Sequence, residues 1–163
     1  MYKPFDQMPD DSRIWVYKAD RRFNNSELVF VKEKLEQFCE QWNTHGSLMP
    51  TSFDIRFDQV IILAVDESRL GASGCSIDSS VRALKGIEQE LGINLLDQGK
   101  VGFMNEGSKL EVSQALGIKS KVEEGILQAD TIVLNPVVQR KSDLQNNWMI
   151  SAKKSWLNKF FMN

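Results

Sequence analysis

Cysteine and histidine are scarce in this chain, which has two of the first and one of the second among 163 residues. Two thiols in different surroundings, Cys39 and Cys75, do not make a disulfide framework. A single histidine, His45, argues against a zinc site, and no metal ligand set is assigned. Long hydrophobic runs are missing too. The longest, Val60 to Val65, is far too short to span a bilayer, so no membrane association is expected. No secretory leader is visible, because Met1 to Asp6 has a lysine with no apolar run behind it. A reduced, cytoplasmic protein is the expectation. Net charge is −2, so the chain as a whole lacks the basic excess of a nucleic-acid binder. There is no internal repeat and no low-complexity tract.

What is present reads as one soluble α+β domain, with 42% hydrophobic and 26% charged residues. Residues 1 to 13 form a polar arm. The β-branched and aromatic run Ile14-Trp15-Val16-Tyr17 predicts a first strand, closed by Asp20-Arg21-Arg22. Asn24-Asn25-Ser26 offers helix caps, and Leu28, Val31, Leu35, Phe38, Cys39 and Trp42 recur at helical spacing. His45 lies in that helix's exit. Thr51 to Phe57 alternates as a half-buried strand, with a tight turn at Asp58-Gln59. The continuously apolar Val60–Val65 then predicts a central strand ending at Asp66-Glu67. Asp78, Ser79 or Ser80 would cap a second helix that ends at the glycine cap Gly92, and Val101 to Met104 reads as a fourth strand.

Strand, helix, strand, strand, helix, strand is the order of the ferredoxin-like βαββαβ sandwich. The expectation is a single domain over 1–163, with its core at about 12–105. A helical C-terminal extension at about 106–163 would pack on it. Within that extension, Ser108 to Glu111 reads as a capping box opening a short helix that stops at Gly117. Lys121 to Gln128 reads as a turn or two of helix, and Thr131 to Val138 as an edge strand or connector broken by Pro136. Ser151 would cap a last helix carrying Trp156, Leu157, Phe160 and Phe161. The segment from Arg140 onward carries five basic residues against one acid. Interleaved with Trp148 and Trp156, it suggests a covering element, or a surface for a protein partner or a second copy of the chain. Nucleic acid is the less favoured partner.

The stretch richest in chemistry is Gly71-Ala72-Ser73-Gly74-Cys75-Ser76-Ile77-Asp78-Ser79-Ser80, between the central strand and the second helix. In the ferredoxin-like trace it shares one end of the sheet with His45 and Asp66. A helix start presents free N–H groups and partial positive charge, so Gly74, Ser76, Asp78, Ser79 and Ser80 are the candidate binding residues for a small anion. A cysteine placed there gains thiolate character, making Cys75 a candidate nucleophile with His45 and Asp66 as partners. An Asp66/Asp78 metal site is a further alternative. The same residue types also serve as ordinary turn and cap chemistry, and Cys75 as a small packed side chain.

Trp15, Asp20-Arg21, Trp42, His45-Gly46, Val65-Asp66-Glu67, Ala72 to Ser80 and Ser155-Trp156 together resemble a family of small bacterial proteins often labelled ABC transporter ATPase. The resemblance runs over most of the chain. The label implies a nucleotide-binding loop, which the residues do not supply. The one Gly-Lys pair, Gly99-Lys100, is followed by Val101, with Asn94 where the first glycine of a Walker A loop belongs. Nucleotide hydrolysis of the P-loop type is therefore excluded. The resemblance carries over no catalytic residue and no cofactor. Three readings follow: a small-anion binding domain at the Gly71–Ser80 loop, a thiol- or metal-dependent enzyme at the same place, or an interaction module.

Overall fold

A computed structural model describes residues 1–162. Strand β1 (Arg13–Lys18) leads into helix α1 (Asn25–Gln41), which begins with a reciprocal cap between Asn24 and Glu27. A small hairpin follows, β2 (Asn43–Thr44) and β3 (Ser47–Leu48), and then strands β4 (Thr51–Arg56) and β5 (Val60–Val65). Helix α2 (Gly74–Leu91) ends at Gly92, whose φ of 61° is the left-handed cap that the sequence predicts. The remainder is β6 (Val101–Met104), β7 (Leu110–Ser113), α3 (Ile118–Glu123), β8 (Ile132–Leu134), α4 (Lys141–Asn146) and β9 (Met149–Ser151).

The mixed α+β class is as expected. Strands β1, β5 and β4 form an antiparallel sheet in that order, the arrangement a ferredoxin-like trace gives its first, third and second strands. The fourth strand departs from that topology. Instead of pairing with β1, β6 joins a second sheet of order β7-β6-β8-β9, so the expected four-stranded sheet has three strands here.

The reason lies in β5. All six of its residues are buried, and successive side chains point to opposite faces. Ile61, Leu63 and Val65 pack under α1 and α2 with Val31, Leu35, Leu84 and Ile87. Val60, Ile62 and Ala64 pack on the other face with Leu110, Leu134 and Trp148 of the second half of the chain. Each fully buried aliphatic side chain contributes about 1.5–3 kcal/mol, so neither face can be left wet. The second sheet is the lid on that other face. Its own outer face is covered in turn, with Val101, Phe103 and Val133 meeting Ile118, Leu127 and Leu157.

The C-terminal half therefore differs from the helical extension predicted for it. Leu110–Ser113 is a strand, because pairing with β6 overrides the local capping pattern at Ser108. Ser108 sits in the hairpin turn at φ 57°. Ile132–Leu134 is flanked on both sides, by β6 and β9, and so is not an edge. The last helix is replaced by two short 3-10 turns, Ala152–Lys154 and Trp156–Phe160, the second capped by Ser155 rather than Ser151. Trp148 is buried between the sheets, while Trp156 is exposed.

The β4–β5 turn is centred on Phe57 and Asp58, one residue earlier than expected, with φ of 58° and 51°. Two positive φ angles mark the hairpin-matching type I′ turn, which usually recruits glycine or asparagine. Phe57 is retained through its packing, its ring 5.9 Å from that of Trp148. Asp58 has no such contact, so Asp58→Gly is expected to raise stability by about 1 kcal/mol in urea unfolding. A loss of stability would contradict the strain assigned to that position.

Candidate functional site

The segments singled out in the sequence do approach one another. The Trp42 indole N–H donates to the Ser76 carbonyl at 2.8 Å, and the Ser76 hydroxyl donates to the Asn43 carbonyl at 2.7 Å. These bonds tie the exit of α1 to the first turn of α2. The end of β5 is held nearby in the fold by the Asp66 N–H, which donates to the Pro50 carbonyl at 2.9 Å.

The polar groups there are largely engaged with the chain itself. Helix α2 begins at Gly74, capped by Ser73 rather than by Asp78, Ser79 or Ser80, so those three lie inside its first turns. Ser73 and Ser76 form a reciprocal capping box. The Ser79 hydroxyl donates to the Cys75 carbonyl at 2.9 Å, and that of Ser80 to the Ile77 carbonyl at 2.6 Å. Gly74, Cys75 and Asp78 are exposed, and Ser76 and Ser80 are buried. Asp66 accepts from the Ser68 N–H at 2.9 Å, a bond that holds its carboxyl below the usual range. His45 is exposed in the β2–β3 turn with φ 50°. Among the described residues, no hydrogen bond or ion pair joins the side chains of His45, Asp66 and Cys75. No cluster of three or more His, Cys, Asp or Glu side chains is placed to hold a metal ion, also among the described residues.

A different place in the fold offers a concave site. Because β6 does not pair with β1, whose outer edge is met by backbone only at an Arg13–Arg140 bridge, a cleft of about 600 Å³ runs along that edge. One wall is β1 itself, and the other is the segment from Leu134 to Arg140, with Trp148 behind it. Both ends of the second wall are pinned. Asn135 donates its N–H to the Trp148 carbonyl at 2.7 Å and its side-chain amide to the Asn147 carbonyl at 3.0 Å. At the other end, the Ile14 N–H donates to the Gln139 carbonyl at 3.0 Å, and the Asp143 carboxylate accepts from the N–H groups of Gln139 and Arg140. Further along the edge of β1, Gln98 Nε2 donates to the Val16 carbonyl at 3.2 Å. Lys100 Nζ donates to the carbonyls of Lys18 and Asn94. The lysine of the Gly-Lys pair is thus a buried backbone clamp.

The charged lining is three cations, Arg13, Lys18 and Arg140, against one acid, Glu67. Glu67 stands 3.7 Å from Arg13 Nη1 and 3.8 Å from Arg140 Nη1. It also accepts the Ala72 N–H at 2.8 Å, which couples the Gly71–Ser80 loop to the mouth of the cleft. Lys18 differs from the arginines in burial. Its residue is 5% exposed, and among the described residues its Nζ has no hydrogen-bond or ion-pair partner. Burial pushes its pKa down, and the negative charge of Asp97 pushes weakly back. Its stem is buried, while Nζ is not among the sealed, unpartnered polar atoms of the described residues, so the ammonium reaches the open space of the cleft.

Sequence reasoning missed these residues because Arg13 and Arg140 meet only through the fold. One signal was present. Ile14, Val16 and Lys18 share one face of β1, so the lysine continues an otherwise apolar, inward register.

The two thiols separate cleanly. Cys39 is fully buried and its pKa is pushed up to about 12 by burial, whereas Cys75 is exposed. A disulfide reagent such as DTNB is expected to titrate one thiol in the native protein and both in urea, with Cys75→Ser abolishing the native signal. Modification of Cys39 under native conditions would show that the α1 face opens more readily than its packing implies. Compared with protein families, with curated proteins and with solved structures, the chain matches none.

Proposed function

We propose that this chain is a binding protein for a small anionic molecule, seated in the cleft along the open edge of β1. This keeps the ligand class suggested by the sequence and moves the site. At the start of α2 the serine hydroxyls are already bonded to the chain, whereas in the cleft the Lys18 ammonium, at the end of a buried stem, faces open space without a protein partner. The observation that carries the reading is Lys18. An anion in the cleft would supply the charge-assisted bond that no protein group supplies, in surroundings of low dielectric where such a bond is strong.

The rest of the cleft fits that role. Arg13 and Arg140 add donors at its mouth, and each keeps guanidinium N–H groups beyond the one facing Glu67. The walls are pinned by backbone hydrogen bonds, so binding would need little reorganisation. Leu134, Val138 and Trp148 provide the apolar surface typical of small-molecule sites. The chain's overall net charge is −2, so this cationic concavity is a local feature and not a reflection of general basicity.

The test is thermal unfolding of the wild type and Lys18→Met with inorganic phosphate, citrate and medium-chain carboxylates at low ionic strength. Without ligand, Lys18→Met is expected to be at least as stable as wild type, because it keeps the packed stem and removes a partly desolvated charge that has no protein partner. A binding anion at a hundredfold excess over its Kd should stabilise the wild type by about 2.7 kcal/mol and leave the variant unmoved. Equal shifts in both proteins, or no shift with any anion, would overturn the assignment. The pH dependence has a defined sign. A lysine whose pKa is lowered by folding binds fewer protons folded than unfolded. Wild-type stability relative to the variant should therefore rise with pH from the folded-state pKa of Lys18 up to its ordinary value.

A further inference from the structure

We propose that the Lys18 amine is a nucleophile and that the cleft takes a 2-oxo acid, held as a reversible imine on Lys18 Nζ. This rests on the anion-binding reading above and deepens it by naming the ligand class.

Of the cations lining the cleft, Arg13 and Arg140 are arginines and Lys18 is a lysine. An arginine would pair an anion through two parallel bonds and keep its charge. A lysine can release a proton and become a nucleophile. Lys18 is placed to do so. The residue is 5% exposed, and its stem packs where Gly102 leaves room, Cδ standing 3.1 Å from where a methyl group at 102 would lie. Its Nζ reaches the open space of the cleft, and among the described residues no carbonyl or carboxylate holds it. The charged groups around it are Asp97 and Lys100 on the loop entering β6, with Glu67, Arg13 and Arg140 in the cleft lining. Glu67 faces the two arginines and accepts the Ala72 N–H, while Lys100 Nζ is occupied by the Lys18 and Asn94 carbonyls. Burial outweighs Asp97 and holds the Lys18 pKa below the ordinary lysine value, which enlarges the share of free amine.

A 2-oxo acid uses both forms of this nitrogen. Its carboxylate pairs with the ammonium, and the adjacent carbonyl carbon accepts the lone pair of the amine. As the C–N bond forms, the C=O π pair moves to oxygen. That oxygen then leaves as water, carrying two hydrogens of the original ammonium. Ammonium and carbonyl become iminium and water, so no oxidant, reductant or further acid enters the balance. The iminium keeps its positive charge beside the carboxylate, and the ion pair survives the reaction. A simple carboxylate lacks the electrophile, and a neutral ketone lacks the charge.

The test is treatment of the full chain with cyanoborohydride and pyruvate, acetone or propionate, followed by peptide mass mapping. With pyruvate near neutral pH, Lys18 should gain the mass of the acid less one oxygen atom. It should do so about tenfold faster than the exposed Lys85 and Lys154, the factor that one pKa unit supplies. That lead should narrow as pH rises toward the ordinary lysine value, where exposed amines also lose their protons. Lys100 should stay unlabelled, acetone should not favour Lys18 over the exposed lysines, and propionate should label nothing. Inorganic phosphate should protect Lys18 and leave Lys154 reactive. All of these rates are read on wild-type protein, so none depends on a variant that folds. If Lys18 is labelled no faster than Lys154 while phosphate still raises Tm, the imine is wrong and the anion site stands. Preferential labelling of Lys18 by acetone and pyruvate alike, with no protection by phosphate, would overturn the 2-oxo acid and the anion site together. If Lys18 takes no label and phosphate shifts nothing, both readings fail.

Discussion

A strand with no polar face dominates this fold. Val60–Val65 is apolar at every position, and the pleat sends alternate side chains to opposite sides, so the sheet containing it must be covered twice. The two long helices cover one side. On the other, the chain builds a second antiparallel sheet and stacks it face to face on the first. The strand that would have completed a ferredoxin-like sheet is drawn into that second layer. The cleft is the consequence, since β1 keeps a free edge where a neighbour would otherwise lie.

An exposed strand edge is ordinarily a liability, inviting pairing with another chain. Here the edge is partly occupied from within. The Gln139 backbone, the Gln98 side chain and the Lys100 ammonium each engage one of its polar groups. These contacts come from two separate segments, one around Gln98 and Lys100 and one at Gln139, and leave space between them. The edge is therefore protected against strand addition while the concavity stays open. The same segments fix the positions of the charged groups, which sit on hydrogen-bonded backbone and not on free loops.

Much of the first half of the chain was legible in the sequence, because its signals are local. The α1 cap at Asn24, the alternation through β4, the apolar run of β5 and the Gly92 cap each lie within a few residues of what they organise. The second half was misread where pairing is long-range. Ser108 to Glu111 looks like a helix start, and only the presence of β6 makes it a hairpin. The proline at 136 suggested an edge, yet it falls after β8 has already paired on both sides. At the Gly71–Ser80 loop, the start of a helix was legible and the residue that caps it was not. Ser76 turns inward to Asn43, and the real cap is Ser73. The cleft was hidden for a related reason. Its opposing walls are separated by more than a hundred residues, and nothing near Arg13 announces Arg140.

Gly102 has no room for a side chain where β6 passes the lysine of β1. A methyl group there would stand 3.1 Å from both Lys18 Cδ and Leu134 Cδ1, tighter than ordinary contact. The missing side chain is what lets the Lys18 stem and Leu134 pass this close to β6. Residue 102 thus sets how closely β6 approaches the lysine of β1. In a chain carrying alanine there, the Lys18 stem and the Leu134 side chain would each have to give by a few tenths of an ångström.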